Sequence, residues 1–194
     1  EAQLSFLGAI QGFDNLIGRI GVIDIGGGST ELAAGENRQL LAWSGLKIGA
    51  VAISEAVGYE AALADYLVYA EDTFRKSNFI NLLKPPPKKI IIVGGTGVAL
   101  AGLSAGLKDF QPDKIQGWKI ASRYLNQHLD SLVAMTLDQR KTLMAFDPQR
   151  ADIIVSGGAI ILAFMRYAAR DSLVVSTRGL RYGLLDEIVS QINA

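Results

Sequence analysis

The run from Arg19 to Ala34 most narrows what this chain can fold into, because Gly26, Gly27 and Gly28 separate two short β-prone segments. Arg19 to Ile25 (RIGVIDI) reads as a buried strand and Ser29 to Ala34 (STELAA) as its partner. Gly35, Glu36, Asn37 and Arg38 supply the next turn, and Gln39 to Ala52 reads as a third strand containing Trp43. The chain is therefore expected to open with an antiparallel three-stranded meander. Consecutive glycines after a strand let the backbone turn with φ > 0 and approach a ligand closely. They also leave N–H groups free to point at anionic oxygens. A phosphate would fit such a loop, with Ser29 and Thr30 adding hydroxyl donors. If the hairpin is symmetric about its glycines, Asp24 and Glu31 stand opposite each other on one sheet face. Like charges so placed repel unless a cation or a transferred proton lies between them. The bland alternative is a glycine hairpin with two solvated carboxylates, but the coincidence of Asp, three Gly, Ser-Thr and Glu after one strand favours a site.

A second strand-terminal glycine turn follows later. Ile90 to Leu107 carries no charge over a span that would ordinarily suggest a membrane helix, for which about 18 residues suffice. Five of its residues are glycines, and Gly94, Gly95, Thr96 and Gly97 come directly after Ile90-Ile91-Ile92-Val93. This predicts a buried strand, a turn and a small-residue helix whose N-terminal N–H groups suit a phosphate. It is neither a P-loop, lacking a closing Gly-Lys-Ser/Thr, nor a full dinucleotide fingerprint, since Leu100 stands where a third small residue belongs. A tight turn needed only for packing is an equal reading of this segment alone.

The rest of the chain is mainly helical. Glu1 to Phe13 places Leu4, Leu7 and Ile10 at helical spacing. From Ser54 a long amphipathic segment runs to about Leu83, where Pro85, Pro86 and Pro87 stop it, and the strand Lys89 to Val93 follows. Helices are predicted over Ser122 to Met135, over Leu137 to Phe146 behind a Thr136/Gln139 capping box, and from Pro148, capped by Asp147, to about Ala169. A last strand, Leu173 to Ser176, leads to a closing helix from about Gly179 to Ile192. The fold class is thus α/β, a mixed sheet covered by helices, in one unit over residues 1–194. Ser156-Gly157-Gly158-Ala159 lies inside a helical pattern and reads as close helix packing. Arg178 and Arg181 flank the start of the last helix, where ligands of α/β sheets are met as often as solvent. His128 occupies a polar helix position and reads as solvated.

Composition limits the chemistry. With 194 residues, 49% of them apolar, the chain can bury a sizeable core without staples. Nineteen Lys and Arg balance nineteen Asp and Glu, which argues against nucleic acid or an anionic membrane as partner. The absence of Cys removes thiol catalysis and sulfur-based zinc sites, and a single His makes a Ser-His-Asp triad improbable. Hydrolysis would have to run on carboxylates, hydroxyls, backbone N–H groups and a hard cation. With no signal-type segment, a cytoplasmic location is expected.

The motif set resembles that of the exopolyphosphatase / guanosine pentaphosphate phosphohydrolase family, within the actin-like ATPase and sugar-kinase superfamily. Val22 to Leu32 resembles the family's second phosphate-binding motif. Glu1-Ala2-Gln3-Leu4 with Leu7-Gly8 looks like the end of its Glu-Glu-Ala-Arg-Leu segment, and Gly94-Gly95-Thr96 like its later glycine turn. Arg150-Ala151-Asp152-Ile153-Ile154 with Gly158-Ala159 is similar to its Arg-Ala-Asp helix, and Ser176 to Leu185 to its closing segment.

The resemblance implies a ribonuclease-H-like lobe that faces a homologous N-terminal lobe, absent here, across a cleft holding phosphates and Mg²⁺. It implies hydrolysis of terminal phosphoanhydride bonds of polyphosphate or guanosine pentaphosphate, with Glu1 activating water and Asp24 and Glu31 near metal and water. Gly26, Gly27, Gly28, Ser29 and Thr30 align with the phosphate loop. Thr177 and Tyr182 depart from the acidic residues many members carry there. Two other readings are a non-catalytic phosphate-binding regulator and a sugar- or acetate-type kinase lobe. Charge neutrality tilts the substrate toward a short or nucleotide one, and an exposed interlobe face would make a homodimer unsurprising.

Overall fold

A computed structural model of the chain describes residues 2–14 and 16–192, without the side chain of Ser190. Its first half is built of α1 (Ala2–Gln11), β1 (Arg19–Ile25), β2 (Thr30–Glu36), β3 (Gln39–Leu46), α2 (Ala50–Val57), α3 (Leu63–Arg75), a 3₁₀ turn (Phe79–Leu83), β4 (Lys89–Val93) and α4 (Gly95–Ser104). The second half adds the short α5 (Pro112–Ile115), β5 (Lys119–Ala121), α6 (Ser122–Val133), α7 (Leu137–Leu143), a 3₁₀ turn (Pro148–Arg150), α8 (Ile154–Tyr167), β6 (Ser172–Val175) and α9 (Leu180–Ile192). The strands form one six-stranded mixed sheet in the order β3-β2-β1-β4-β6-β5. The meander β1-β2-β3 is antiparallel, β4 and β6 join it in parallel, and β5 closes the far edge antiparallel to β6.

Strand alternation divides the core in two. On one face Ile23, Ile25, Leu32, Ile90 and Ile92 pack under a thick layer that includes Ile53 of α2, Phe74 of α3, Leu129 of α6 and the almost wholly buried α8. The other face carries Ile20, Val22, Ala33, Ile91 and Val93 beneath Phe6, Ala9 and Ile10 of α1. Here α1 is crossed by α9 at glycines on both helices. A Cβ on Gly183 would overlap the Leu4 carbonyl, and one on Gly8 would overlap the Gly179 carbonyl.

Three expectations need correction. The third strand ends at Leu46 rather than Ala52, because Ala50 begins α2. The segment from Ser54 is not one helix: Gly58, at φ 117, ends α2, and α3 and a 3₁₀ turn follow. Pro148 starts only a short 3₁₀ turn, and the helix proper begins at Ile154. The three-residue β5 was not foreseen. The Thr136/Gln139 capping box forms with both bonds present. The uncharged Ile90–Leu107 stretch resolves into β4 and α4, and no helix among the described residues is long and apolar enough to cross a membrane.

Gly183→Ala is expected to destabilise the fold although alanine is the better helix former by about 1 kcal/mol. Overlap with a backbone carbonyl costs about 1–3 kcal/mol or more. A fall in the urea midpoint checks this, and an unchanged midpoint would show that the crossing has room.

Candidate active site

The site is assembled at the C-terminal ends of β1 and β4. In the β1–β2 ladder Asp24 pairs with Glu31 and Ile25 with Thr30, so the hairpin is symmetric about its glycines, as the sequence suggested. Asp24 and Glu31 consequently project from the α1 face, Glu31 half-buried with Gly45 of β3 beside it. Val93 is the parallel partner of Asp24, and Gly94 comes next in chain order. A Cβ on Gly94, whose φ is 90°, would stand 2.6 Å from Asp24 Oδ1. The two glycine segments therefore meet at one carboxylate.

The triple-glycine loop departs from expectation in its backbone. None of Gly26, Gly27 and Gly28 is in the left-handed region. Its shape is set instead by α2. Ala50 N–H donates to the Gly26 carbonyl at 2.9 Å, and Val51 and Ala52 N–H donate to the Gly27 carbonyl at 2.9 and 3.0 Å. Gly26 N–H closes the turn on the Ser29 carbonyl at 2.9 Å. With these carbonyls turned inward, the N–H groups of Gly27, Gly28 and Ser29 have no acceptor among the described residues, and Gly27 and Gly28 are exposed. A Cβ on Gly28 would meet nothing within 4 Å. Neither φ nor the fold's own packing requires glycine there, so the open space above it is what glycine preserves.

The same alternation that puts Glu31 on the outer face turns Thr30 inward. Its side chain is fully buried and donates to the Ile48 carbonyl at 2.6 Å, so its hydroxyl does not join Ser29 as a loop donor. Thr96 is likewise buried, beneath Gly157 of α8, where a Cβ would stand 2.6 Å from Thr96 Cγ2. Ser156 serves packing, as read from the sequence, bonding Ser54 and the Ala50 carbonyl at 2.8 Å each. Thr177 is engaged by Gln116, whose Oε1 accepts from its N–H at 2.8 Å and its hydroxyl at 3.0 Å. Tyr182 lies under the Arg178 guanidinium. His128 is half-buried on α6, and Glu1 lies outside the described residues.

Two site residues escaped the sequence reading. Gly49 sits against the loop, where a Cβ would overlap Gly27 and stand 2.6 Å from Gly28 N. Arg150 lies over Gly95, the first residue of α4, so closely that a Cβ there would overlap the guanidinium. Asp147 holds it, accepting from Arg150 Nε at 2.8 Å. Both contacts are long-range, and the only hints in the sequence were an isolated glycine and the Arg-Ala-Asp resemblance.

Among the described residues no three His, Cys, Asp or Glu side chains cluster. Mg²⁺ needs no such cage, since it is held by one or two carboxylates together with waters and substrate phosphates. Asp24 and Glu31, in register beside free N–H donors, fit that role.

The profile of the Ppx/GppA phosphatase family matches residues 1–192 of the chain. The chain belongs to this family. A bifunctional 3-dehydroquinate synthase/phosphatase from Fusobacterium nucleatum is 28% identical over 191 residues, covering 91% of this chain and 27% of that protein. Exopolyphosphatase 2 from Mycobacterium tuberculosis is 27% identical over 193 residues, covering 95% of this chain and 60% of that protein. The chain thus spans less than two thirds of these relatives. A Ppx/GppA family member from Aquifex aeolicus superposes with a TM-score of 0.84 at 24% identity, over 100% of this chain and 63% of its own. An exopolyphosphatase from Cytophaga hutchinsonii gives 0.82 at 23%, over 98% and 63%. These structural likenesses establish the fold that the Ppx/GppA motifs implied.

The two loop glycines make opposite predictions. Gly49→Ala is expected to shift the Ppx/GppA glycine loop and cost about 1–3 kcal/mol. Gly28→Ala should leave stability within about 0.5 kcal/mol. Urea denaturation of the pair checks this, and equal effects would refute the assignment of the space above Gly28.

Proposed function

We propose that the chain is the loop-bearing lobe of a phosphohydrolase that releases orthophosphate from terminal phosphoanhydride bonds of inorganic polyphosphate or guanosine pentaphosphate. The observation carrying this reading is the hairpin itself: N–H groups at Gly27, Gly28 and Ser29 with no acceptor among the described residues, open space at Gly28, and Asp24 and Glu31 paired beside them. In phosphoryl transfer the protein mainly positions the attacking water and offsets charge. The free N–H groups would take the non-bridging oxygens, and Arg150 at the start of α4 would add a second positive element. Asp24 and Glu31 would hold Mg²⁺, which when bound supplies charge neutralisation on the phosphate oxygens. Glu31 would orient water within that shell, and Glu1 keeps the water-activating role that the resemblance implies. The balanced charge of the chain favours a short or nucleotide substrate over a long polyanion.

Partial coverage of the relatives supports a second lobe across the cleft. The outer side of α9 carries exposed Leu185, Val189 and Ile192, apolar surface available to such a lobe.

Phosphate release from polyphosphate, guanosine pentaphosphate and ATP should be measured with Mg²⁺ on the longer polypeptide carrying this chain and on residues 1–194 alone. The longer protein is expected to be active and the isolated chain nearly inactive. Glu31→Gln should lower kcat by about 10²-fold or more. Gly28→Ala should raise KM at unchanged stability. Wild-type rates in Glu31→Gln, or consumption of ATP only with an acceptor present, would overturn the hydrolase reading.

A further inference from the structure

The end of α2 away from the glycine loop borders a cavity of 340 Å³ between α3, the α6–α7 junction and the start of α8. Its lining includes Tyr59, Glu60, Tyr66, Ala134, Arg140 and Val155. α2 is eight residues long, about 12 Å, so this cavity is separate from the loop. Arg140 is placed by the α7 capping box, its N–H donating to the Thr136 carbonyl at 3.0 Å.

Arg140 is 6% exposed and is the one charged side chain among the described residues that is buried. It has no acidic partner there, since the ion pairs among described residues involve other side chains. Its Nη1 donates to the Ala151 carbonyl at 3.2 Å, while Nε is enclosed with no acceptor. Nη2 makes no hydrogen bond to the described residues. A guanidinium cannot neutralise itself by losing a proton, so burial without a counter-ion is costly. The Tyr66 hydroxyl, beside it, donates to the Gly58 carbonyl. Burial pushes that hydroxyl above the ordinary tyrosine value, so it supplies no phenolate to balance the charge.

We infer that this cavity is a binding site for a small organic carboxylate, its anionic head on Arg140 and its apolar body against Ala134, Met135, Leu137 and Val155. A single cation fits a monoanion. Glu60 at the cavity opposes multiply charged ligands, which sets this site apart from the glycine loop. The inference does not depend on the proposed hydrolase activity.

Hexanoate is a suitable probe, with hexanol and inorganic phosphate as comparisons, in calorimetric titrations of the full chain. Hexanoate should bind more tightly than either. Arg140→Met should weaken it by about tenfold or more, the order expected for a charge-assisted hydrogen bond. Because Arg140→Met could also unsettle α7, Ala134→Trp, at an exposed lining position, provides an independent block and should also abolish binding. Glu60→Gln should tighten binding about two- to fivefold, more so at low salt, a gain that a purely structural arginine would not produce. Equal binding of hexanol, tighter binding of phosphate, or hexanoate binding unchanged by Ala134→Trp would overturn the assignment.

Discussion

Everything at the candidate site depends on where the carbonyls of Gly26 and Gly27 point. Each peptide group offers a donor on one side and an acceptor on the other, so fixing the carbonyl fixes the N–H. The first turn of α2 takes both carbonyls through Ala50, Val51 and Ala52. A helix N-terminus, whose own N–H groups would otherwise face an anion, is here spent on orienting a loop. The loop's N–H groups are thereby presented outward without a left-handed residue. Gly49 permits the contact, since any side chain there would overlap Gly27. α2 is in turn anchored by Ser54 and Ser156, both within 2.8–2.9 Å of the Ala50 carbonyl. The loop is held from the thick helical layer, while its carboxylates stand on the thin one.

This division explains which parts of the fold were legible in the sequence. β1 and β4 are rich in β-branched residues and each stops at a glycine, so their ends fall where the pattern stops. β2 starts one residue later and ends two residues later than the pattern suggested, and the hydrophobic period of α6 is regular enough to locate it. The errors lie where local signals were outweighed by distant contacts. Gln39 to Ala52 is apolar enough to continue as a strand, but Gly49 and Ala50 are captured by the glycine loop 22 to 24 residues earlier. The Ser54–Leu83 segment has helical periodicity throughout, yet Gly58 adopts a backbone geometry no helix contains. β5 is too short to show a period and exists only because β6 offers it an edge.

The site was legible to the same degree and for the same reason. Asp24 and Glu31 are related by the symmetry of one local hairpin, so their pairing followed from counting residues across three glycines. That same count implied that Thr30 faces the opposite way, a consequence that reading Ser29 and Thr30 together as hydroxyl donors overlooks. Gly94 reached Asp24 through parallel pairing of strands more than sixty residues apart, which the glycine turn suggested but did not place. Arg150 required the whole α8 layer to be in position before it could meet Gly95.

Under the proposed reading, the charges at the site are arranged to discriminate between anions. Arg150 stands at the N-terminus of α4, the end whose dipole already favours an anion, so cation and helix end reinforce each other. Asp147 offsets part of that charge without covering Gly95. A few residues away Asp24 and Glu31 make a locus of the opposite sign. A bare polyphosphate would be attracted by the first element and repelled by the second. A phosphate accompanied by a divalent cation matches both, with the anion toward the loop and Arg150 and the cation toward the carboxylates. Selectivity of this kind comes from the local arrangement of charge and needs no excess of lysine or arginine. The 19-to-19 balance is therefore compatible with phosphate chemistry while still disfavouring an extended anionic polymer laid across the surface.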